Sequence, residues 1–79
     1  MPDARLELLT RAGCHLCVTA AETLTRIGAE AGLVPREIDV DADPELRAEY
    51  GDRVPVIMID GREHGFWRVE EPRLRAALG

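Results

Sequence analysis

Apolar and polar positions change their spacing several times along the chain, and each change predicts a new element. A short apolar run over residues 5–10 is typical of a buried strand, and it ends at the turn-forming segment Arg11-Ala12-Gly13. Residues 14–31 place apolar side chains at helical spacing. This pattern predicts a helix, with Gly32 as its stop.

A second strand is predicted over residues 33–40. Pro35 places this strand at a sheet edge, because proline cannot donate a ladder hydrogen bond. Asp43 and Pro44 have the chemistry of a helix start, an N-cap followed by the first helical position, so a short helix is expected to about Tyr50. Because a helix crosses over between the first two strands, those strands are expected to be parallel.

The last third of the chain predicts a hairpin followed by a helix. Residues 54–59 form the strongest strand of the sequence, and Asp60-Gly61 is a two-residue turn signal before a weaker strand over 62–66. Residues 70–78 predict a closing helix that tolerates Pro72 in its first turn. The order β-α-β-α-β-β-α indicates an α/β fold.

Length and composition narrow the class of protein. Residues 1–79 are expected to form one domain, and 46% hydrophobic residues with three aromatics predict an aliphatic core. Two of the aromatics, Phe66 and Trp67, are expected to pack at the last helix. The net charge of −5 argues against a nucleic-acid partner, because phosphate binding requires a basic surface.

The cellular compartment is predicted from the lack of membrane-span and signal-peptide patterns in the sequence. No apolar stretch approaches the length of a membrane span, and the N-terminus lacks the basic and apolar regions of a signal peptide. We therefore expect a cytoplasmic protein without a membrane partner, and a monomer. In the cytoplasm, paired cysteines are more often catalytic or metal-binding than structural.

Cys14 and Cys17 come directly after the first strand and open the first helix. Two cysteines three apart on one helical turn are neighbours, within the separation that a disulfide can span. Unpaired backbone N–H groups and the positive end of the helix dipole favour a thiolate at Cys14. A pair that can both ionise and close a disulfide is a redox centre. A structural disulfide and half of a metal site are the alternatives.

The two histidines are the other possible ligands of a metal site. The soft ligands available for zinc are Cys14, Cys17, His15 and His64, and a tetrahedron is awkward because His15 adjoins Cys14. We therefore predict no metal. His15 is instead a candidate for tuning the redox potential, by stabilising the Cys14 thiolate when its imidazole is protonated. The alternative is an exposed histidine without a role.

The layout resembles the thioredoxin superfamily: a strand, a CxxC motif at a helix start, Val54-Pro55 opening the third strand, a hairpin and a final helix. The size is similar to that of glutaredoxins, which lack the extra N-terminal strand and helix of thioredoxin. The resemblance covers essentially the whole chain. It implies a thioredoxin-like fold of glutaredoxin size, with a four-stranded mixed sheet and helices on both faces.

The resemblance also implies roles for single residues. Cys14 matches the attacking cysteine, and Cys17 matches the resolving one. Val54 matches the residue whose backbone pairs with the bound substrate, and Pro55 matches the cis-proline of the family. Arg11 matches a position that is often basic and can receive a substrate carboxylate.

Three positions that depart from the glutaredoxin pattern concern the substrate. Arg53 stands where threonine precedes Val-Pro, and it is a candidate for binding a substrate carboxylate or an acidic partner. Arg68 and Val69 stand where glutaredoxins present a hydroxyl residue and an acid to the γ-glutamyl end of glutathione. Arg68 can still pair with the carboxylate there, whereas Val69 cannot accept from the amino group. Glutathione is therefore expected to bind poorly.

Together these observations predict a small cytoplasmic thiol-disulfide oxidoreductase that reduces protein or small-molecule disulfides. The reaction needs no bound cofactor, and the electron donor is either thioredoxin reductase or glutathione. A glutathione-dependent glutaredoxin is one alternative. The other is a non-catalytic interaction or metal-carrying module built on the same fold.

Overall fold

Three α-helices cover a four-stranded mixed sheet in the computed structural model, which describes residues 5–79. The elements are β1 (Leu6–Thr10), α1 (His15–Glu30), β2 (Arg36–Asp39), a 3-10 turn (Val40–Ala42), α2 (Pro44–Tyr50), β3 (Val56–Ile59), β4 (Arg62–Phe66) and α3 (Glu71–Leu78). The strands lie in the order β2-β1-β3-β4. The predicted fold class and element order are confirmed.

Strand directions agree with the chain connections. β1 and β2 are parallel, as the helical crossover between them requires, and Thr10 pairs with Asp39 at their carboxyl ends. β3 is antiparallel to both β1 and β4. β2 lies at one edge of the sheet, as Pro35 predicts, and β4 lies at the other.

The larger part of the core lies between the sheet and the helices α1 and α3. Alternate residues of β1 and β3 point to this face, where they meet the buried sides of the two helices. The buried set is Leu6, Leu8, Ala20, Leu24, Ile27, Ile57, Ile59, Leu74 and Leu78. Its members are aliphatic, as the composition predicts, and they fix α1 and α3 side by side.

A smaller cluster on the opposite face holds α2. Leu9, Val40 and Val56 are buried there, and Leu46 and Tyr50 of α2 pack against them. The sheet therefore carries helices on both faces, as predicted. Among residues 5–79, no helix combines the length and the apolar character needed to cross a membrane.

Local capping and turn signals explain where elements start and stop. The side chain of Asp43 accepts a hydrogen bond from the Glu45 backbone N–H at 2.9 Å and caps α2, whose first residue is Pro44. The hairpin turn between β3 and β4 has φ of 52° at Asp60 and 80° at Gly61. Two successive positive φ values are the requirement of a type I′ turn, which explains the Asp-Gly pair.

Two predicted strands are shorter than expected. β2 begins at Arg36, since Val34 is exposed and Pro35 has no N–H to donate. β3 begins at Val56, which is the first residue of this strand that pairs with β1. Residues 54 and 55 instead form a loop at the end of the sheet.

Two ion pairs join α3 to α1 at the surface. Arg75 Nε lies 2.9 Å from Glu30 Oε1, and Arg26 Nη2 lies 2.9 Å from Glu71 Oε2. The hydrogen bond from Arg75 lowers the pKa of the Glu30 carboxyl below its ordinary value. Exposed pairs of this kind contribute little stability each, so packing rather than charge holds the helices together.

Gly28 marks a close approach between α1 and the segment that follows it. A Cβ atom at this position would lie 2.9 Å from the Leu33 carbonyl oxygen and 3.1 Å from Leu6 Cδ2. The Leu33 N–H also donates to the Gly28 carbonyl at 2.8 Å, so the two backbones are tied together. A backbone oxygen held in this way cannot easily move aside for a methyl group.

We predict that Gly28→Ala lowers the free energy of unfolding by about 1–3 kcal/mol through overpacking. Helix propensity alone predicts the opposite, a gain of about 0.5–1 kcal/mol. Urea unfolding measures the change. Ala29→Gly, at the exposed neighbouring position, is the matched control and should lose about 0.5–1 kcal/mol from propensity alone. A stabilised Gly28→Ala protein would contradict the close approach.

Candidate active site

Cys14 and Cys17 lie at the junction where β1 gives way to α1. Cys14 is the N-cap of the helix, with extended backbone geometry, and its N–H donates to the Arg11 carbonyl at 3.3 Å. The two cysteines form a disulfide, and their Cα atoms are 5.2 Å apart. The predicted pairing on one helical turn is therefore present in the structure.

The two sulfur atoms differ in environment. Cys17 is only 4% exposed, whereas Cys14 is half-buried. The Cys17 backbone N–H donates to Cys14 Sγ at 3.1 Å, and the first turn of α1 contains no acidic residue. This N–H and the helix dipole favour negative charge on the Cys14 sulfur once the disulfide is reduced. Cys14 is the accessible sulfur, and Cys17 lies behind it.

The Val54-Pro55 segment forms one wall of a groove beside this junction. Its peptide bond is cis, as the resemblance implies, and Pro55 is buried. The Pro55 carbonyl accepts a hydrogen bond from the Trp67 N–H at 2.8 Å. The groove has a volume of about 490 Å³ and is lined by Leu16, Val54, Phe66, Trp67, Arg68 and Glu70.

Val54 lines this groove, and its backbone groups are free within the described part of the chain. Neither its N–H nor its C=O has a hydrogen-bond partner within residues 5–79, since the β3 ladder begins two residues later. Leu16, which stands between the two cysteines, lines the same groove. An extended segment lying in the groove could therefore pair with Val54 while it passes the CxxC motif.

Arg11 is engaged by other parts of the chain. Its guanidinium donates to both carboxylate oxygens of Asp41, at 2.9 and 3.0 Å, and to the Gly51 carbonyl at 3.4 Å. The hydrogen bonds and charge of Asp41 raise the pKa of Arg11. Arg11 thus ties the end of β1 to the 3-10 turn and the end of α2. Its role in substrate binding stays a prediction.

Arg53 is also held within the fold. It donates to Glu63 at 3.2 Å and to the Glu49 carbonyl at 3.0 Å. Its guanidinium carbon lies 5.3 Å from the Tyr50 ring centroid and 5.8 Å from that of Phe66. These contacts join α2 to β4 across the base of the Val54-Pro55 loop. Substrate binding by Arg53 stays a prediction as well.

Arg68 is the predicted substrate-binding arginine that lines the groove. Within residues 5–79 its side chain makes no ion pair, and it shares the groove with the Glu70 carboxylate. Glu70 is the N-cap of α3 but makes no side-chain capping bond. Val69 packs against the core of the α1–α3 face. The groove therefore holds one cation and one carboxylate close to Val54.

The two histidines lie in different surroundings. His15 is the exposed first residue of α1, beside Cys14 in the chain. His64 lies on β4 in a second cavity that also contains Arg68, Glu70 and Arg73. Burial lowers the pKa of His64 below its ordinary value, and the charge of Arg73 lowers it further. Tuning of the cysteine pair by His15 stays a prediction.

Phe66 and Trp67 are not packed at the last helix, so that expectation was wrong. Trp67 is 53% exposed and Phe66 is 41% exposed, and their rings contact each other edge to face with centroids 5.1 Å apart. Leu16, which lines the same groove, is 49% exposed. Large apolar side chains at the surface beside a disulfide are the feature that sequence reasoning missed. Two adjacent aromatics at the end of a strand were its signal.

A model of the glutaredoxin-like domain (DUF836) matches residues 5–79. The chain belongs to this family. Uncharacterized proteins of Mycobacterium tuberculosis and Mycobacterium bovis are 52% identical over 83 residues, spanning 99% of this chain and 86% of their own length. The glutaredoxin-like fold and the Cys14–Cys17 pair fit a thiol oxidoreductase.

Solved structures share this fold. The X-ray structure of a protein from X. campestris superimposes with a TM-score of 0.76 at 40% identity, covering 92% of this chain and 93% of that one. The solution structure of a protein from Nitrosomonas europaea superimposes with a TM-score of 0.83 at 25% identity, covering 100% of this chain and 95% of that one. The crystal structure of wheat glutaredoxin superimposes with a TM-score of 0.66 at 20% identity, covering 96% of this chain and 80% of that one. This likeness concerns the fold alone.

We predict that Cys14 of the reduced protein reacts with limiting iodoacetamide at slightly acidic pH at least about tenfold faster than Cys17, because only Cys14 is accessible and favoured as thiolate. The tryptic peptide of residues 12–26 carries both cysteines, and its fragment ions locate the label. In urea, where the fold is lost, the two cysteines should react at similar rates. Preferential labelling of Cys17 in the folded protein would reverse the assignment.

Proposed function

We propose that this protein is a thiol-disulfide oxidoreductase that reduces disulfides in protein substrates. The observation that carries the proposal is the unequal cysteine pair at the start of α1, with Cys14 accessible at the N-cap and Cys17 buried behind it. Membership of the glutaredoxin-like family supports the same chemistry. The groove past Val54 supports a substrate that is an extended polypeptide.

The reaction proceeds by two thiol-disulfide exchanges. The Cys14 thiolate attacks one sulfur of the substrate disulfide, so that a mixed disulfide forms and the other substrate sulfur leaves as a thiolate. The Cys17 thiolate then attacks Cys14 Sγ, closing the Cys14–Cys17 disulfide and releasing the second substrate thiolate. Solvent protonates the thiolates at neutral pH. The substrate gains two electrons, and the protein loses two.

The oxidised protein must then be reduced by a dithiol or by two thiols. Thioredoxin reductase with NADPH is the donor that we propose, because Val69 is a packed aliphatic residue where glutaredoxins place an acid for glutathione. No bound cofactor takes part in the exchange. Cytoplasmic location, a monomeric state and the lack of a nucleic-acid partner stay predictions from the sequence.

A glutathione-dependent reaction is the second candidate, and Glu70 is the observation that favours it. The γ-glutamyl end of glutathione carries a carboxylate and an ammonium group. Arg68 and Glu70 line one groove and could receive these two charges, respectively. Glu70 could thereby replace the acid that position 69 lacks.

We predict that Cys14→Ser abolishes disulfide reduction, whereas Cys17→Ser accumulates a mixed disulfide with the substrate. The reason is that the first exchange needs Cys14 but not Cys17, whereas Cys17 is required to resolve the mixed disulfide. Intact-mass measurement of the quenched reaction detects the adduct. An active Cys14→Ser protein would contradict the proposed roles. A wild-type protein that reduces no disulfide would support the non-catalytic module instead.

The electron donor is tested with the oxidised protein. We expect thioredoxin reductase with NADPH to reduce it, and glutathione to cause no saturable amide NMR shifts at low millimolar concentration, since an unpaired ammonium costs about 1–3 kcal/mol, roughly five- to a hundredfold in affinity.

Saturable shifts around Val54 and Arg68 that Glu70→Gln weakens would establish the glutathione-dependent reaction instead. Glu37→Gln is the matched control, because Glu37 is an exposed carboxylate on the far edge strand β2. If both substitutions weakened the shifts equally, Glu70 would have no specific role in binding glutathione.

A further inference from the structure

Trp67 combines backbone strain with exposure beside the cysteine pair. Its φ is 68°, in the left-handed region where a bulky side chain is unfavourable and glycine or asparagine is normally found. Its side chain is 53% exposed. Exposure of a tryptophan forgoes the stabilisation of burial, and the backbone geometry adds a further cost. Neither feature contributes to folding, so both require another explanation.

Hydrogen bonds fix the backbone around this residue. The Trp67 N–H donates to the Pro55 carbonyl at 2.8 Å, and the Arg68 N–H donates to the Phe66 carbonyl at 2.9 Å. The Phe66 ring meets the indole edge to face. These contacts fix the Trp67 backbone beside the Val54-Pro55 loop and support one side of the indole.

Trp67 lines two grooves that both touch α1. One is the groove of Val54 and Leu16, and the other is lined by Leu16, Thr19, Thr23, Val69 and their neighbours, with Trp67 and Arg68 in each. Leu16 is half exposed and lines both grooves together with Trp67. A side chain entering from a bound segment would therefore be enclosed by Leu16 and Trp67.

The charge of this surface also bears on the ligand. The protein has a net charge of −5, yet the first groove contains one cation, Arg68, and one carboxylate, Glu70, beside four apolar or aromatic side chains. The first turn of α1 adds no acid. This surface is close to neutral and mainly apolar, so it complements an apolar side chain better than a charged one.

We propose that Trp67 is a specificity-determining residue that selects polypeptide disulfides in which a large apolar side chain flanks the reactive cysteine. This inference rests on the proposed function of the Cys14–Cys17 pair. The substrate segment pairs with the backbone of Val54, and its flanking apolar side chain packs between Trp67 and Leu16. The strained backbone at Trp67 is retained because it aims the indole at that side chain.

The test uses the pre-reduced protein and two symmetric disulfides of blocked tetrapeptides, which differ only in having leucine or serine before the cysteine. We expect the wild-type second-order rate constant to be about tenfold higher for the leucine peptide, as enclosure of one aliphatic side chain predicts. Trp67→Ala and Trp67→Gly should remove this preference, and Trp67→Phe should keep part of it. Val34→Ala, which truncates an 86% exposed aliphatic residue just before the edge strand β2, is the control that should keep the preference in full.

The strain is tested by thermal unfolding of the same variants. Trp67→Gly should melt about 4–8 °C above Trp67→Ala, because glycine adopts a positive φ without steric cost and alanine does not. Equal melting temperatures would refute the strain, and a leucine preference that survives Trp67→Ala would refute the selectivity. Wild-type protein that reduces both peptides at the same rate would refute the inference alone. Reduction of neither would refute the proposed function.

Discussion

The buried face of α1 packs on β1 and β3 through Ala20, Leu24 and Ile27, and this contact sets where the first turn of the helix lies. Only the short segment of residues 11–14 joins β1 to that turn, so the sheet and the helix together determine the position of Cys14. The sulfur of Cys14 is thereby placed at a helix N-terminus by elements that pack into the core. Its chemistry depends on this packing because the N–H groups that favour a thiolate belong to the same turn.

The groove wall beside the cysteines is built differently. Val54, Pro55 and Trp67 belong to loops at the ends of β3 and β4. Pro55 is buried and Val54 packs against the smaller core cluster, whereas Trp67 is exposed. The hydrogen bond between the Pro55 carbonyl and the Trp67 N–H joins these loops into one wall. On the other face of the sheet, Arg53 braces the wall through Glu63 and the aromatic rings of Tyr50 and Phe66. Polar and aromatic contacts thus stabilise the position of the wall, whereas aliphatic packing stabilises the position of the helix.

Local chemistry made most of the fold predictable. The Asp43 cap, the Asp60-Gly61 turn and the apolar spacing of α1 each depend on neighbours in the chain, and each appears where the sequence indicates. The antiparallel pairing of β1 with β3 depends on residues about fifty positions apart, which no local pattern specifies. The same holds for Arg11, whose carboxylate partner, Asp41, lies thirty residues away. The cysteines of the site could be predicted from spacing alone, whereas their surroundings could not.

The exposure of Phe66 and Trp67 was missed because aromatic residues in a small domain are normally counted as core. The placement of Trp67 also gives the protein an optical property. Its indole is the only one in the chain, and it stands beside the groove that Leu16 and Val54 line. Tyr50, the only tyrosine, packs on the opposite face of the sheet. Tryptophan fluorescence therefore originates at the mouth of the redox site, where an unlabelled partner that covers the indole would change the emission.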